Sequence, residues 1–348
     1  MSKFLSKRLR SFKPYRLVTP ESFRREVLGE KIYKLDWNEG FYNYGGDIKL
    51  NRYSNPNLKF YEEKVLEIYN ENLYNVRLFP GSDIAHIEIL RLYADVGDKC
   101  TIFGPTYDNF RCTAESFGLE IDYVLSKWDI NQFKNILINN DSKLVYICNP
   151  NNPTGEYFSE IDDLITSFPE ILFLVDEAYL EFTESKFLSK KTCLDNVVFF
   201  RTFSKAFSLA GVRLGVILAS EKLFEDIDLI YNPKHLSSTA LSSIDMVITN
   251  KLKIKDYIDK VIFNRNELQY KITVELNDDV NCSNSSGNFL LLHINNKQKR
   301  NSLKNNLQDL NIFVREFTNF HGLNAIRITI TDDISISNLI FKTLKDIF

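Results

Sequence analysis

The sequence predicts an α/β fold built on a mostly parallel sheet, followed by a smaller α+β lobe. Three observations carry that prediction: short continuous apolar runs recur along the first two-thirds, stretches of helical periodicity separate them, and the texture changes after about residue 245. The runs cover residues 76–79, 100–103, 144–148, 171–175, 197–200 and 214–219. A strand with one wet face alternates apolar and polar residues, so these unbroken runs belong to strands covered on both faces. Between them, residues 58–69 place apolar side chains at 58, 61, 65, 68 and 69, which is one stripe of a helix. Strand–helix alternation of this kind lays helices on both faces of a parallel sheet. Beyond residue 245 come a long charged helical segment (253–276), short strands at 289–293, 312–314 and 326–330, and a closing helix. The expected division is a larger domain at 35–245 and a smaller one made of 1–34 and 246–348.

Bulk properties narrow the function classes. With 348 residues the chain is long enough for two compact units, and at 44% hydrophobic and 26% charged it has the balance of a globular protein. A net charge of −3 gives no electrostatic drive towards nucleic acid or an anionic membrane. No apolar run is long enough for a signal-peptide core or a membrane span. The five cysteines (100, 112, 148, 193, 282) are odd in number and lack CxxC spacing, and the four histidines (86, 235, 293, 321) do not cluster. Neither a disulfide framework nor a metal site is expected, and a reducing cytoplasm is the expected location. The basic stretch with Lys3, Lys7, Arg8, Arg10, Lys13 and Arg16 reads as a solvated arm.

In parallel sheets, ligands collect at the carboxyl ends of strands, so the residues after each run are read together. After the first comes Gly81-Ser82-Asp83, opening a helix at Ile84, where free backbone N–H groups and the helix dipole favour an anion. An ordinary helix cap has the same look. After the second, Gly104-Pro105-Thr106 turns into Tyr107 at the next helix start; that ring either covers a flat ligand or simply packs. The third motif is Asn149-Pro150-Asn151-Asn152-Pro153-Thr154-Gly155, whose prolines and glycine exclude helix and strand and fix a loop that holds Asn152 as a side-chain donor.

The next run ends in Asp176-Glu177-Ala178-Tyr179. A carboxylate at the end of a buried strand is costly unless a cation meets it, and a protonated pyridine nitrogen would serve; capping the next segment is the plainer alternative. Finally, Arg201-Thr202-Phe203-Ser204-Lys205 is followed by Gly211-Val212-Arg213-Leu214-Gly215. Lysine forms Schiff bases when its setting lowers its pKa, and Ser204 with the planar fork of Arg213 suits a phosphate.

In this order, and together with Asn51-Arg52-Tyr53, Arg315 and Arg327, these segments resemble the fold type I pyridoxal-phosphate (PLP) enzymes, most closely the histidinol-phosphate aminotransferase group. The resemblance covers most of the chain. It implies a fold type I transferase with a seven-stranded, mostly parallel sheet in the larger domain. Lys205 would carry the cofactor as a Schiff base and move the proton; Asp176 would pair with the pyridine nitrogen. Asn152 and Tyr179 would bind the ring hydroxyl oxygen, and Tyr107 would stack on the ring. Ser82, Asp83, Ser204 and Arg213 would cradle the phosphate, with Tyr53 reaching it from the other subunit of a homodimer. Arg327 resembles the arginine that grips the donor's carboxylate, Arg315 one that meets a phosphorylated substrate, and Tyr15 and Asn38 fall on the substrate side.

The implied reaction moves an amino group from glutamate to a small phosphorylated carbonyl acceptor, in two half-reactions through one site. Two variants share these residues: a phosphoamino acid decarboxylase of the threonine-phosphate type, and an amino alcohol phosphate transaminase (serinol phosphate-like) serving surface polysaccharide synthesis. An effector-binding module of a transcription regulator would need a helix-turn-helix domain, for which the segment before the first motif is too short. A purely structural homologue would be expected to lack Lys205 or Asp176. The chain departs from the group at Asp36-Trp37-Asn38-Glu39-Gly40, where an Asn-Glu-Asn-Pro type sequence is usual, and at Ile84, where an acidic residue is common.

Overall fold

The computed structural model describes residues 1–14, 21, 22, 25, 28–31, 33, 35–40, 42–45, 50–54, 57–125, 129–183, 193–276 and 280–348. In chain order these give α1 (Lys59–Tyr69), β1 (Asn75–Phe79), α2 (Ser82–Tyr93), β2 (Lys99–Gly104), α3 (Asp108–Ser116), β3 (Glu120–Leu125), α4 (Ile130–Ile138) and β4 (Leu144–Cys148). Then come α5 (Ile161–Ser167), β5 (Leu172–Asp176), β6 (Val197–Thr202), β7 (Gly215–Ala219), α6 (Glu221–Ile230), α7 (Ser238–Thr249) and α8 (Lys251–Glu275). The chain closes with β8 (Asn281–Cys282), β9 (Phe289–His293), α9 (Lys297–Asp309), β10 (Arg315–Phe320), β11 (Leu323–Thr329) and α10 (Ile334–Lys345).

A seven-stranded sheet runs in the order β1-β7-β6-β5-β4-β2-β3, and a four-stranded one in the order β10-β11-β9-β8. In the larger sheet the pairs β2–β3, β2–β4 and β4–β5 are parallel, and β1–β7 is antiparallel. Every residue of β4, β5, β6 and β7 is buried, which is why those runs carry no polar alternation. Edge strand β3, only partly buried, escaped the apolar-run criterion. The strand expected at 312–314 is not one. Asn311, at φ 59°, ends α9 in the left-handed region, and Ile312 N–H closes the helix by donating to Leu307 O at 2.8 Å. Pairing begins at Arg315, opposite Arg327.

The chain divides into two compact units, Met1–Asp95 with Phe200–Lys251, and Val96–Phe199 with Leu252–Phe348. In the first, the basic N-terminal stretch is not the solvated arm expected. Phe4, Leu5 and Leu9 are buried while Lys3, Lys7, Arg8 and Arg10 stay exposed. The Ser6 N–H donates to Leu92 O (3.0 Å) and the Lys7 N–H to the Asp95 carboxylate (Oδ2, 2.9 Å), which ties the stretch to the end of α2. Arg77 on β1 donates to Glu62 of α1 at 2.8 Å and to Asp228 of α6, so one guanidinium fixes both helices to the strand.

In the second unit the segment after β4 is irregular, as its prolines require, and it is bolted at both ends. The Asn149 side chain bonds both N (2.8 Å) and O (2.9 Å) of Phe158. Gly155, at φ 80°, lies so close to Ser285 that a Cβ would come within 2.3 Å of its Oγ. Ser286 N donates to Gly155 O at 2.7 Å, and buried Arg265 of α8 ties Phe182 O (3.0 Å) to Gly287 O (2.8 Å). The loop is thus held by hydrogen bonds where it lacks regular structure.

Candidate active site

The chemistry-bearing residues form two clusters, one in each unit. In the second unit, Asp176 ends β5 and is 4% exposed. Its Oδ2 accepts from the Tyr146 hydroxyl at 3.1 Å and its Oδ1 from Ala178 N at 3.0 Å. Tyr146 lies on β4 beside Leu174 and stacks on Phe110 of α3, centroids 3.8 Å apart and 8° from parallel. Burial, and then the Asp176 charge, push the Tyr146 hydroxyl well above the ordinary phenol range, so it stays a donor. Sequence reasoning missed Tyr146; the available signal was a hydroxyl inside an otherwise apolar run, where a partner is obligatory.

Next to this carboxylate is a chain of side chains. Asn152 Nδ2 donates to the Tyr179 hydroxyl at 3.3 Å, and Arg327 Nη1 donates to Asn152 Oδ1. The Tyr179 ring meets Phe289 edge-on at 5.1 Å, and the Arg327 guanidinium lies 5.4 Å from the same ring and 5.8 Å from Phe317. Burial raises the Tyr179 pKa and lowers that of Arg327, which nonetheless remains a cation at any working pH. Arg315, exposed, faces Arg327 across the β10–β11 ladder. Tyr107 stands at the N-cap of α3.

The first unit gathers Ser82, Asp83, Ser204 and Arg213. Helix α2 begins at Ser82, two residues earlier than expected, with Gly81 as its cap at φ 87°. A Cβ on Gly81 would lie 2.5 Å from Arg213 Nη2, and one on Gly215 would lie 2.3 Å from the Gly81 carbonyl carbon. Both glycines are therefore needed for the guanidinium to approach the helix start. Arg213 reaches Ser204 Oγ and Asp83 Oδ2, each at 3.5 Å, while Thr202 Oγ1 accepts from Ser204 N at 3.1 Å. Lys205 follows in the turn after β6, partly buried, with its carbonyl accepting from Ser208 N at 3.1 Å. Helix-start amides, a hydroxyl and a half-exposed guanidinium suit a phosphate monoester.

Among the described residues, two predicted ones make no hydrogen bond, ion pair or ring contact with this cluster. Asn38, exposed at φ 53°, and Tyr53, 51% exposed, belong to the segment around Trp37. Tyr15 lies outside the described residues. Among the described residues no three His, Cys, Asp or Glu side chains group as metal ligands, and no helix is long and apolar enough to cross a membrane. Two adjoining surface cavities of 480 and 630 Å³ share Lys99, Glu120 and Asn140. They lie where β2 and β3 begin, at the opposite strand ends from Tyr107, and hold none of the predicted groups.

Residues 45–340 match the description of aminotransferase class I and II, which is most of the chain. The chain belongs to that family. It is a PLP-dependent transaminase. This aminotransferase is 31% identical over 313 residues to a dihydroxyacetone phosphate transaminase of Campylobacter jejuni, covering 84% of each chain. It is 30% identical over 356 residues to a histidinol-phosphate aminotransferase of Brachyspira hyodysenteriae, covering 96% of each. In fold it is similar to the Sinorhizobium meliloti histidinol-phosphate aminotransferase solved in complex with PLP (TM-score 0.76, 22% identity, 97% of both chains). It is also similar to the L-threonine-O-3-phosphate decarboxylase of Porphyromonas gingivalis (TM-score 0.70, 20% identity, 85% of this chain and 90% of that one).

The groups in this aminotransferase fit its cofactor. The Gly81–Arg213 approach presents donors that suit a phosphate, and the buried Asp176 carboxylate, backed by the Tyr146 hydroxyl and Ala178 N–H, is an anion that suits a protonated ring nitrogen.

Proposed function

We propose that this aminotransferase carries an amino group from glutamate to a small phosphorylated carbonyl compound. The observation that carries the reading is the register of Arg315 against Arg327: two guanidinium groups on one ladder favour a ligand with two anionic groups, or two anionic ligands in turn. The likeness to a transaminase named for dihydroxyacetone phosphate, and to others named for histidinol phosphate, supports a phosphate on the substrate.

When bound, PLP supplies the electron sink for the carbanion chemistry. The protein's part is then assigned residue by residue. Lys205 Nζ attaches the cofactor and moves a proton to and from the substrate carbon. Asp176, fixed by Tyr146 and Ala178, keeps a negative charge at the ring nitrogen. Asn152 and Tyr179 bond the ring's hydroxyl oxygen, and Tyr107 covers the ring face. The amides of Ser82 and Asp83, with Ser204 and Arg213, hold the phosphate. Arg327 orients the donor's carboxylate and Arg315 the acceptor's phosphate, while Asn38 and Tyr15 line the substrate side.

Tyr53 of the partner subunit reaches the cofactor phosphate in the homodimer that this reading requires. The cofactor domain is assigned to 35–245 and the smaller one to 1–34 with 246–348; the self-contained sheet of β8 to β11 supports the latter. A cytoplasmic location, where glutamate is plentiful, completes the reading.

An absorbance spectrum of the PLP-loaded protein tests it. Glutamate should convert the visible cofactor band to the near-ultraviolet band of the amine form, and dihydroxyacetone phosphate should reverse the change. A band that glutamate leaves in place sinks the donor assignment. One that no phosphorylated ketone restores sinks the acceptor.

A further inference from the structure

A lysine outside the clusters described above rests against two aromatic rings. Residues Pro233–His235 form a 3-10 turn in which the Asn232 side chain accepts from Lys234 N at 3.1 Å, fixing where Lys234 leaves the backbone. Its ammonium lies 3.8 Å from the Trp37 ring centroid and 5.5 Å from that of Tyr53. Those two rings meet edge-on, 5.7 Å apart at 74°, so they form a corner against which the cation rests.

A surface lysine ordinarily ends in water or on a carboxylate. Two carboxylates lie close to Trp37 in sequence and both are committed elsewhere: the adjacent Asp36 accepts from the Ser22 hydroxyl at 2.5 Å, and the second is Glu39. Its Oε2 accepts from Arg52 at 3.0 Å and its Oε1 from Tyr53 N at 2.8 Å, and its side chain is only 2% exposed. No carboxylate among the described residues pairs with Lys234. Aromatic rings attract an ammonium through their quadrupole but do not neutralise it, and they leave its N–H groups free for an oxyanion.

The turn is also packed against the end of β1. The Tyr231 hydroxyl donates to Leu78 O at 2.8 Å, and Phe79 contacts the rings of Tyr231 and His235 at 5.4 and 5.5 Å. The next residues along that strand are Pro80, Gly81 and Ser82, the start of the anion turn. Yet Lys234 is not among the groups that Arg213 and Ser204 contact.

We infer that Lys234, steered by Trp37 and Tyr53, is an anion-binding residue that selects the phosphate group of the acceptor. The inference rests on the phosphorylated-acceptor reading above. It also gives the departure at Trp37 a purpose, since the indole is the better of the two cation platforms.

The test compares dihydroxyacetone phosphate with dihydroxyacetone, the same ketone without its phosphate, in wild type, Lys234→Gln and Lys234→Arg, with glutamate as donor. Lys234→Gln should raise KM for the phosphorylated ketone about tenfold with kcat within about twofold, leave dihydroxyacetone kinetics unaltered, and be largely rescued in Lys234→Arg. An unchanged KM, or an equal loss with both ketones, overturns the inference. A second readout is independent of turnover. With Trp128→Phe leaving Trp37 as the one emitter, glycerol 3-phosphate should change the fluorescence saturably, and Lys234→Gln should abolish the change. If wild type does not prefer the phosphorylated ketone, the acceptor reading fails by itself. The titration then decides for Lys234: a saturable change lost in the variant keeps the anion site, and no change removes it.

Discussion

Asp176 and Arg213 are both charged groups beside buried strands, yet the chain surrounds them in opposite ways. Asp176 is 4% exposed and held by two donors at about 3 Å, one of them a phenol that is itself fully buried and stacked. Arg213 is half exposed, and its contacts to Ser204 and Asp83 are 3.5 Å long. A carboxylate can lose its charge, so fixed donors are what hold it in one state in a low-dielectric setting. A guanidinium is charged in any setting, so its surroundings need only leave it reachable. Holding a buried carboxylate with donors and presenting a charge to a ligand are different problems, and the chain solves the first with side chains in depth and the second with glycines.

The contrast can be broken deliberately. The largest effect is expected from neither group but from Lys205, the proposed carrier of the cofactor: Lys205→Ala should lower kcat more than about a thousandfold while PLP still binds noncovalently, which equilibrium dialysis with a rate assay would reveal. Asp176→Asn should follow, with kcat falling about a hundred- to a thousandfold because a preorganised charge is lost. Unchanged kinetics would mean that the cofactor ring does not sit against Asp176.

Gly81→Ala attacks the other end. It adds a Cβ within 2.5 Å of Arg213 Nη2 at a φ of 87°, so PLP affinity should weaken about tenfold with kcat at saturation nearly kept. Tyr146→Phe sharpens the comparison from the buried side. It removes one donor from Asp176 and should cost about 1–3 kcal/mol in urea unfolding of the cofactor-free protein, a loss that an exposed arginine contact would not give.

The smallest effect is in pH. Burial holds His235 and His293 below the ordinary histidine range, so the folded chain binds those protons less readily than the unfolded one. Stability should therefore fall as pH drops through about 6.5. Melting temperatures at pH 7.5 and 5.5 would show it, and His293→Gln should flatten part of the slope.

Much of this was legible in the sequence because its cause is local. Strands such as Leu144–Cys148 announce themselves by unbroken apolar runs, and the Asn149 to Gly155 loop by prolines. What escaped has non-local causes. Edge strand β3 lacks a second covered face and so lacks the run. Residues 312–314 are apolar but end a helix, while true strand β10 is mostly polar and gains its state from pairing with β11. The N-terminal stretch looks like a solvated arm until the burial of Phe4, Leu5 and Leu9 separates its apolar face from its basic one. Tyr146 is indistinguishable from a packing residue until Asp176 arrives from the next strand. The Lys234–Trp37 contact joins residues far apart in sequence, and no periodicity signals it.

The asparagines of the loop after β4 have one further property. An asparagine usually ages by attack of the following backbone nitrogen on its side-chain amide, giving a cyclic imide that opens to aspartate. Asn149 and Asn152 are each followed by proline, whose ring nitrogen has no hydrogen to lose. These are the two amides whose oxygen and nitrogen have distinct partners: Asn149 bonds both ends of the Phe158 backbone unit, and Asn152 receives Arg327 on one side and serves Tyr179 on the other. Conversion of either to aspartate would put an acceptor where a donor is needed. In a chain rich in asparagine, these two are chemically shielded from that slow decay by the same prolines that shape the loop.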